Sequence, residues 1–407
     1  MINTGDTAFI MISAAMVLLM TPALALFYAG MVRSKNVLGT ILQSFIMIAV
    51  VTFEWIYIGY SMSFGPDVSG IIGDLSMLAL NGVGSAPSST YATTIPQLVF
   101  MIYQCMFAVI TPALITGAFA ERMRFGPFIL FSLFWTIVVY NPVCHWIWGG
   151  GWLAAKGVLD FAGGLVVHLT SGAAAAAAVM VLGPRKGLGR DKFMPHSLPM
   201  TLLGTGLLWF GWFGFNGGSA LAADGIAATA FVNTHVAGMA GLAMWVTLEW
   251  LLYKQPTTLG AASGAIAGLA TVTPAAGFIS PHAAVIIGLL AGLACFAAVT
   301  YKNKVGFDDS LDVVGIHGLG GVIGTICLGV FASKAINPGG ADGLLAGNAS
   351  FLATQIFGVV VVGVYAFVVS LVLLKITDTI CGGLRVSVED ETVGLDQTAH
   401  SETAYNM

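Results

Sequence analysis

The chain has 407 residues, of which 57% are hydrophobic and 8% charged, with a formal net charge of −4. Soluble chains carry about 25% charged residues, so this composition excludes an ordinary soluble domain and describes a polytopic membrane protein. Long apolar runs without polar alternation exclude a β-barrel.

Windows of about 20 apolar residues, each able to cross a hydrocarbon core of about 30 Å, recur along the whole length. In chain order they predict eleven transmembrane helices, at about 6–32, 38–63, 95–120, 125–147, 161–183, 197–216, 224–253, 258–277, 281–301, 311–333 and 348–380. Met1 to Asp6 has no basic stretch, so no cleavable signal peptide is expected and the first span serves as the insertion signal. With the N-terminus outside, the inner loops carry Arg33, Lys35, Arg122, Arg124, Arg185, Lys186, Arg190, Lys192, Lys254, Lys302, Lys304 and Arg385. The outer loops carry Lys156 and Lys334 alone. That bias places the N-terminus out and the C-terminus in. Cys105, Cys144, Cys295, Cys327 and Cys381 lie in or at the edges of spans and read as buried small hydrophobes rather than a disulfide framework.

No linker divides the chain before residue 383, so 1–383 reads as one transmembrane domain. Within it, an outer loop at about 65–94 is rich in glycine, serine and asparagine, and the inner loop 184–196 is the most basic. The segment 384–407 changes character, with Glu389, Asp390, Glu391, Asp396 and Glu402, and reads as a cytoplasmic docking or regulatory tail. Acidic C-termini are also often merely solvated.

Spans 1–5 and 6–10 each end on a histidine helix preceded by acidic residues: Asp160 before His168, and Asp308, Asp309 and Asp312 before His317. Spans 2 and 7 both hold a Glu-Trp pair, Glu54-Trp55 and Glu249-Trp250. Five spans per half is an odd number, so the halves have opposite orientation. The expected fold is an all-α membrane protein with a 5+5 inverted repeat plus one extra helix, its site near the midplane.

His168 and His317 sit in apolar, glycine-lined spans, each followed one turn later by glycine, Gly172 and Gly321, which lets a neighbouring helix approach the ring. An ionisable group at that depth is a functional-site hypothesis by default. One buried histidine bonded to a carbonyl would be ordinary; a pair sharing a proton can line a narrow path. No further ligands at metal spacing accompany either residue, so no metal is expected.

Leu208, Trp212, Phe215 and Ser219 share one face of span 6, and Gln104, Phe107, Thr111 and Leu114 form a similar stripe in span 3. Trp148 ends span 4 in His145-Trp-Ile-Trp148-Gly-Gly-Gly151. Such stripes usually face lipid or packing. Rings combined with a lone outer hydroxyl also suit a small cation, which the ring quadrupoles attract and whose hydrogen bond the serine accepts. Asp160 reads first as a helix cap. Glu54, inside span 2, has no obvious partner in the sequence.

These motifs resemble the ammonium transporter (Amt/Mep/Rh) family, in its bacterial and archaeal branch. The runs that carry the likeness are Gly211-Trp-Phe-Gly-Phe-Asn-Gly-Gly-Ser219, Asp160-Phe-Ala-Gly-Gly to His168, Asp312-Val-Val-Gly-Ile-His317-Gly, Ala120-Glu-Arg122, and the tail pattern from Gly383 through Gly394-Leu-Asp396 to His400. The resemblance covers essentially the whole chain. It implies a homotrimer in the cytoplasmic membrane with one ammonium/ammonia pore per subunit, no enzyme activity, no cofactor and no nucleic-acid partner. It makes Phe107, Trp148 and Ser219 the outer recruitment site, Phe107 and Phe215 a gate, and Trp212 part of the wall. His168 and His317 become the pore histidines, with Leu208 beside them, and Asp160 the residue that organises recruitment. It also implies a PII-type signalling protein as partner at the cytoplasmic face. Glu54 stands where the family pattern has an apolar residue. Two rivals remain at this point: an ammonium receptor without useful flux, and a channel for a small neutral molecule such as carbon dioxide. A proton-pumping enzyme is least supported, since no cofactor or nucleotide motif is found.

Overall fold

The computed structural model describes residues 1–405; the last two residues of the expected tail lie outside the described residues. Ten helices among the described residues are long and apolar enough to cross a membrane: α1 (Thr4–Met31), α2 (Val37–Phe64), α3 (Gln97–Phe119), α4 (Phe125–Ala155), α5 (Gly164–Leu182), α6 (Leu198–Ala220), α7 (Gly225–Tyr253), then, past a shorter α8 (Thr258–Val272), α9 (Pro281–Val305), α10 (Val314–Phe331) and α11 (Ala349–Cys381). Side chains that satisfy orphan backbone donors set several starts. Asn3 caps α1, Ser197 α6, Asp224 α7, Thr257 α8, Ser280 α9 and Asn348 α11.

The sequence window 258–277 is helical only to Val272, about 22 Å of helix, which falls short of a hydrocarbon core. Pro274 cannot donate to a further turn, so the chain leaves the helix there. The irregular backbone that follows is buried, and Asn233 on α7 donates to the carbonyls of Ala276 and Ile279. Non-helical backbone at this depth persists because protein satisfies it.

Glycines decide which helices come closest. A Cβ on Gly204 or Gly211 of α6 would fall 2.4 Å from the Phe27 nitrogen or 2.2 Å from Met20 Cγ of α1. At the centre, α5 and α10 meet backbone to backbone: a Cβ on Gly172 would lie 2.2 Å from Gly318 Cα, and one on Gly321 2.5 Å from the Gly164 carbonyl oxygen. The two glycines one turn beyond the histidines therefore bring the histidine helices together.

The loop between α2 and α3 carries a short antiparallel hairpin, β1 (Asp67–Val68) with β2 (Ile72–Gly73). At the opposite end the tail forms α12 (Val388–Val393) and α13 (Leu395–His400) and packs on the loops. Asp396 accepts from the Val37 and Gly39 N–H groups at the start of α2, both at 2.9 Å. Glu391 accepts from the Lys186 N–H and from Arg385, so the acidic tail is ordered on the basic loop.

The two Glu-Trp pairs do not occupy equivalent places. Glu54 lies well inside α2, whereas Glu249 sits in the last turns of α7 and accepts from the Thr257 N–H at 2.7 Å, tying α7 to the start of α8.

Candidate functional site

Both histidine helices open with a wide π-helical turn, Gly164–Leu169 in α5 and Val314–Gly318 in α10. Such turns are rare and recur at functional sites. In α5 the turn is built by Asp160, buried to 6% exposure. Its carboxylate accepts from the N–H groups of Gly163, Gly164, Leu165 and Val166 at 2.7–3.1 Å. This takes up all four orphan donors of a helix start, where negative charge is favoured. Gly163, at φ +120°, supplies the backbone conformation that the loop needs to fold under the carboxylate. Asp160 also receives the Trp148 indole N–H on its backbone carbonyl at 2.7 Å, which fixes that ring.

A cavity that borders this cap has a volume of about 420 Å³ and is lined by Gln104, Phe107, Trp148, Asp160, Phe161 and Ser219, among others. The Phe107 and Trp148 rings meet edge to face, centroids 5.9 Å apart at 81°. The Ser219 hydroxyl donates to the Phe215 carbonyl at 2.8 Å and keeps lone-pair capacity for a donor from the cavity. Tyr103, which the sequence reading did not single out, stands behind it. Its hydroxyl bonds the Gly214 and Phe215 carbonyls at 3.0 and 2.9 Å and lies 3.3 Å from Ser219 Oγ. A tyrosine one turn before Phe107 was the available signal.

Phe107, which lines this cavity, meets Phe215 with ring centroids 4.4 Å apart. Phe215 also lines a second, narrow chamber of about 10 Å³, room for about one water molecule. Trp212, Leu208, Phe215, His168 and His317 line it together with Leu114. The Trp212 indole is fixed by a 3.0 Å bond to Thr273 Oγ1, in the broken stretch after α8. The histidine rings are nearly parallel at 16°, with Nδ1 of His317 3.2 Å from Nδ1 of His168. One of these nitrogens must carry the proton and the other accept it. His168 Nε2 is buried without a hydrogen-bond partner among the described residues. Every residue expected at the site therefore lines one of these two cavities, which the Phe107–Phe215 contact joins.

Glu54 lines neither cavity. Asn141 Nδ2 donates to its Oε1 at 2.7 Å, and Gly59 leaves room for the carboxyl, since a Cβ there would fall 2.6 Å from Oε2. Asn141, 87 residues away, is the partner that the sequence did not reveal.

At the end of the bundle where the tail packs, four loops converge on a buried ion network. Glu121 pairs with Arg33 at 2.9 Å and Arg185 at 3.1 Å, and Asp308 pairs with Arg185 at 2.8 Å. Arg122, fully buried, donates to the Ala118 and Asp308 carbonyls at 2.9 and 2.7 Å. Burial alone would raise both carboxyls, but the Arg33 bond and Arg185 charge hold Glu121 below its ordinary range, and Arg185 with Arg122 does the same to Asp308. Phe193 of the basic loop lies beneath the Arg33 and Arg185 guanidinium groups, at 4.8 and 4.2 Å.

A family model described as the Ammonium Transporter Family matches residues 8–405. An ammonium transporter of Bacillus subtilis is 52% identical over 402 residues, covering 98% of each chain. The solved structure of Mep2 from Saccharomyces cerevisiae superposes with a TM-score of 0.90 at 36% identity, over 95% of this chain and 88% of that one. A structure titled as a sensor Amt protein gives a TM-score of 0.89 at 28% identity, over 98% of both chains.

Proposed function

The chain belongs to the ammonium transporter family and transports ammonium, and on that premise we propose that it does so by taking the proton off the cation before the barrier. Ammonium is captured among the Trp148 and Phe107 rings and the Ser219 hydroxyl, loses its water and its proton, and passes as ammonia through the phenylalanine pair and along the two histidines. The observation that carries this reading is a narrow histidine chamber of about 10 Å³ next to an aromatic cavity of about 420 Å³, with the Phe107–Phe215 pair between them.

Magnitudes favour the same order of events. Carrying the bare cation through an apolar chamber costs on the order of 10 kcal/mol, less what the walls return. Removing its proton near neutral pH costs about 3 kcal/mol, if its pKa lies roughly two units above 7. Potassium can enjoy the aromatic site too but has no proton to give up.

We also place the protein in the cytoplasmic membrane as eleven spans, with α8 the short eighth, the N-terminus out and the tail inside. The twelve basic residues of the inner loops against two outside support this orientation. Assembly as a homotrimer is supported by His235, exposed inside α7 where bare lipid would be a costly neighbour. The acidic tail ordered on the basic loop suits a docking surface for a PII-type regulator.

The test is purified protein in liposomes under opposed ammonium and potassium gradients. Ammonium flux without potassium flux is expected; equal passage of both overturns the proton-removal reading. The likeness to a sensor protein favours a second reading, a receptor with a signalling tail. Binding of ammonium without flux in the same vesicles would establish it. A conduit for carbon dioxide would pass that gas and show no effect of Trp148 substitution on it.

A further inference from the structure

His145, one helical turn before Trp148, is fully buried, yet both of its ring nitrogens reach acceptors. Nδ1 lies 3.0 Å from the Ser63 carbonyl oxygen, and Nε2 lies 2.9 Å from Oδ1 of Asp67 in β1. A carbonyl oxygen can only accept, so Nδ1 carries a hydrogen; a carboxylate also accepts, so Nε2 carries one too. The ring therefore bridges the two as a cation, and Asp67, whose side chain is 43% exposed, connects that bridge to the outer solution.

The bridge bears on the aromatic site through the turn that follows Trp148. A Cβ on Gly149 would fall 2.0 Å from the Ser63 oxygen and 2.6 Å from His145 Nδ1, so the turn rests directly on this bond. Gly151 donates to the His145 carbonyl at 2.9 Å, and Trp152 donates to Gly70 of the hairpin at 3.0 Å. Trp146 donates to Ile71 at 2.8 Å, and the Tyr91 hydroxyl donates to the Gly149 carbonyl at 3.0 Å. Hairpin and turn are thus laced together around one imidazole.

We propose that His145 is a positioning residue for the outer aromatic site: its imidazolium, clamped between Ser63 and Asp67, holds the 67–73 hairpin against the Trp148–Gly151 turn and so sets the Trp148 ring for cation capture. The proposal rests on the reading of that cavity as the recruitment site.

Other titratable groups surround the clamp without bonding the ring. They are Cys144 on the same helix, Tyr91 on the outer loop, Asp74 beyond β2 with its bonds to Ser76, Lys156 over Phe357, and Glu54 bonded to Asn141. The His145 bond holds the Asp67 carboxyl below the usual carboxylate range. The clamp is consequently intact above that range and lost as pH falls through it.

The experiment measures ammonium uptake by proteoliposomes as a function of external ammonium concentration at neutral pH. It compares the wild-type chain with Asp67→Asn, His145→Gln and, as a control on the same loop, Asp74→Asn. Asp67→Asn should raise the half-saturating ammonium concentration by about tenfold, the equivalent of one charge-assisted hydrogen bond, with the maximal uptake rate retained. Asp74→Asn should leave both unchanged. A wild-type half-saturating concentration in Asp67→Asn, or a loss of maximal uptake at unchanged half-saturation, overturns the proposal. If His145→Gln fails to fold, Asp67→Asn, altered at a half-exposed side chain, decides alone. Nitrogen NMR of histidine-labelled protein at neutral pH supplies a readout that does not depend on transport. Two protonated ring nitrogens on His145 support the clamp, and one overturns it. Wild-type vesicles that pass no ammonium, with a doubly protonated His145, would overturn the recruitment reading and leave the clamp standing.

Discussion

In α5 an aspartate eight residues ahead of the histidine, Asp160 before His168, receives four backbone N–H groups and has no ion-pair partner among the described residues. In α10 Asp309 stands eight residues ahead of His317 and receives the Val314 N–H at 2.8 Å, but its other oxygen is buried without a hydrogen bond. Lys302 lies beside it, bonded to the Asp309 carbonyl and paired with Asp312. The same spacing and the same wide opening turn therefore end in different electrostatics. At the outer face the carboxylate is neutralised by the helix start alone and borders an open aromatic cavity. At the inner face a resident ammonium group from Lys302 already occupies the corresponding surroundings. On the proposed reading the substrate supplies the missing cation outside, and nothing of the kind is needed inside.

The largest expected effect tests that difference directly. Asp160→Ala strands four buried N–H groups, and we expect a cost of about 4 kcal/mol or more, seen as a large drop in the thermal midpoint of the purified protein and loss of transport. Asp309→Ala removes one such bond and relieves no more than a shared ion pair, so about half that cost is expected. Equal losses for the two variants would erase the contrast between the faces.

Next in size is the histidine pair, where the two halves meet. His168→Ala with His317→Ala removes every titratable side chain from the chamber and enlarges it, so water can enter. The assembled protein should persist while discrimination against potassium falls by about tenfold or more, one pKa unit's worth of energy being 1.4 kcal/mol. Wild-type rate and selectivity in the double variant would remove the histidines from the mechanism.

Acid sharpens the comparison in the opposite direction, because the inner face depends on paired carboxylates. Glu121 and Asp308 are held below their ordinary values of 4.5 and 3.8. Their contribution is fully present above those values and is lost as pH falls through the lower folded-state values. Thermal midpoints in detergent should therefore be flat at neutral pH and decline as the buffer is taken below about pH 4.5. Glu121→Gln should lower the neutral plateau by about 3 kcal/mol, since it leaves Arg33 and Arg185 short of a charge, and should blunt the acid decline. An unchanged acid profile would mean that the network is not what holds the loops.

Spans, the histidine pair and the Asp160 cap were legible because each is local: a hydropathy window, one helix face, one loop and the turn it begins. What escaped is contact between distant segments. Asn141 meets Glu54 across 87 residues, and Asp67 meets His145 across 78. Tyr103 reaches the Ser219 backbone turn from another helix. No periodicity announces such pairs, since they depend on which helix faces rotate toward one another. The window at 258–277 read as a full span because hydropathy does not register that Pro274 ends the helix inside it.

The smallest effect returns to the two glutamates that looked alike in sequence. Glu249 accepts from the Thr257 N–H and hydroxyl and from the Trp245 indole, so it joins two helices. Glu249→Gln keeps one carbonyl acceptor for three donors and turns the other position into a donor facing the Thr257 N–H; a loss of about 1–2 kcal/mol is expected, as for a lost helix cap. Glu54 has one partner, Asn141, and its second oxygen is buried without one. An ionised carboxylate left so at that depth would cost several kcal/mol, so the group fits its place as a neutral acid. A glutamine is nearly the same shape as that neutral acid and still offers a carbonyl to the Asn141 amide. Glu54→Gln should therefore change stability by about 0.5 kcal/mol or less and leave flux unchanged. The matching measurement is transport rate and thermal midpoint for both variants side by side. A large loss of flux in Glu54→Gln, with assembly and midpoint intact, would put a proton on that carboxyl to use and make the quieter of the two glutamates the functional one.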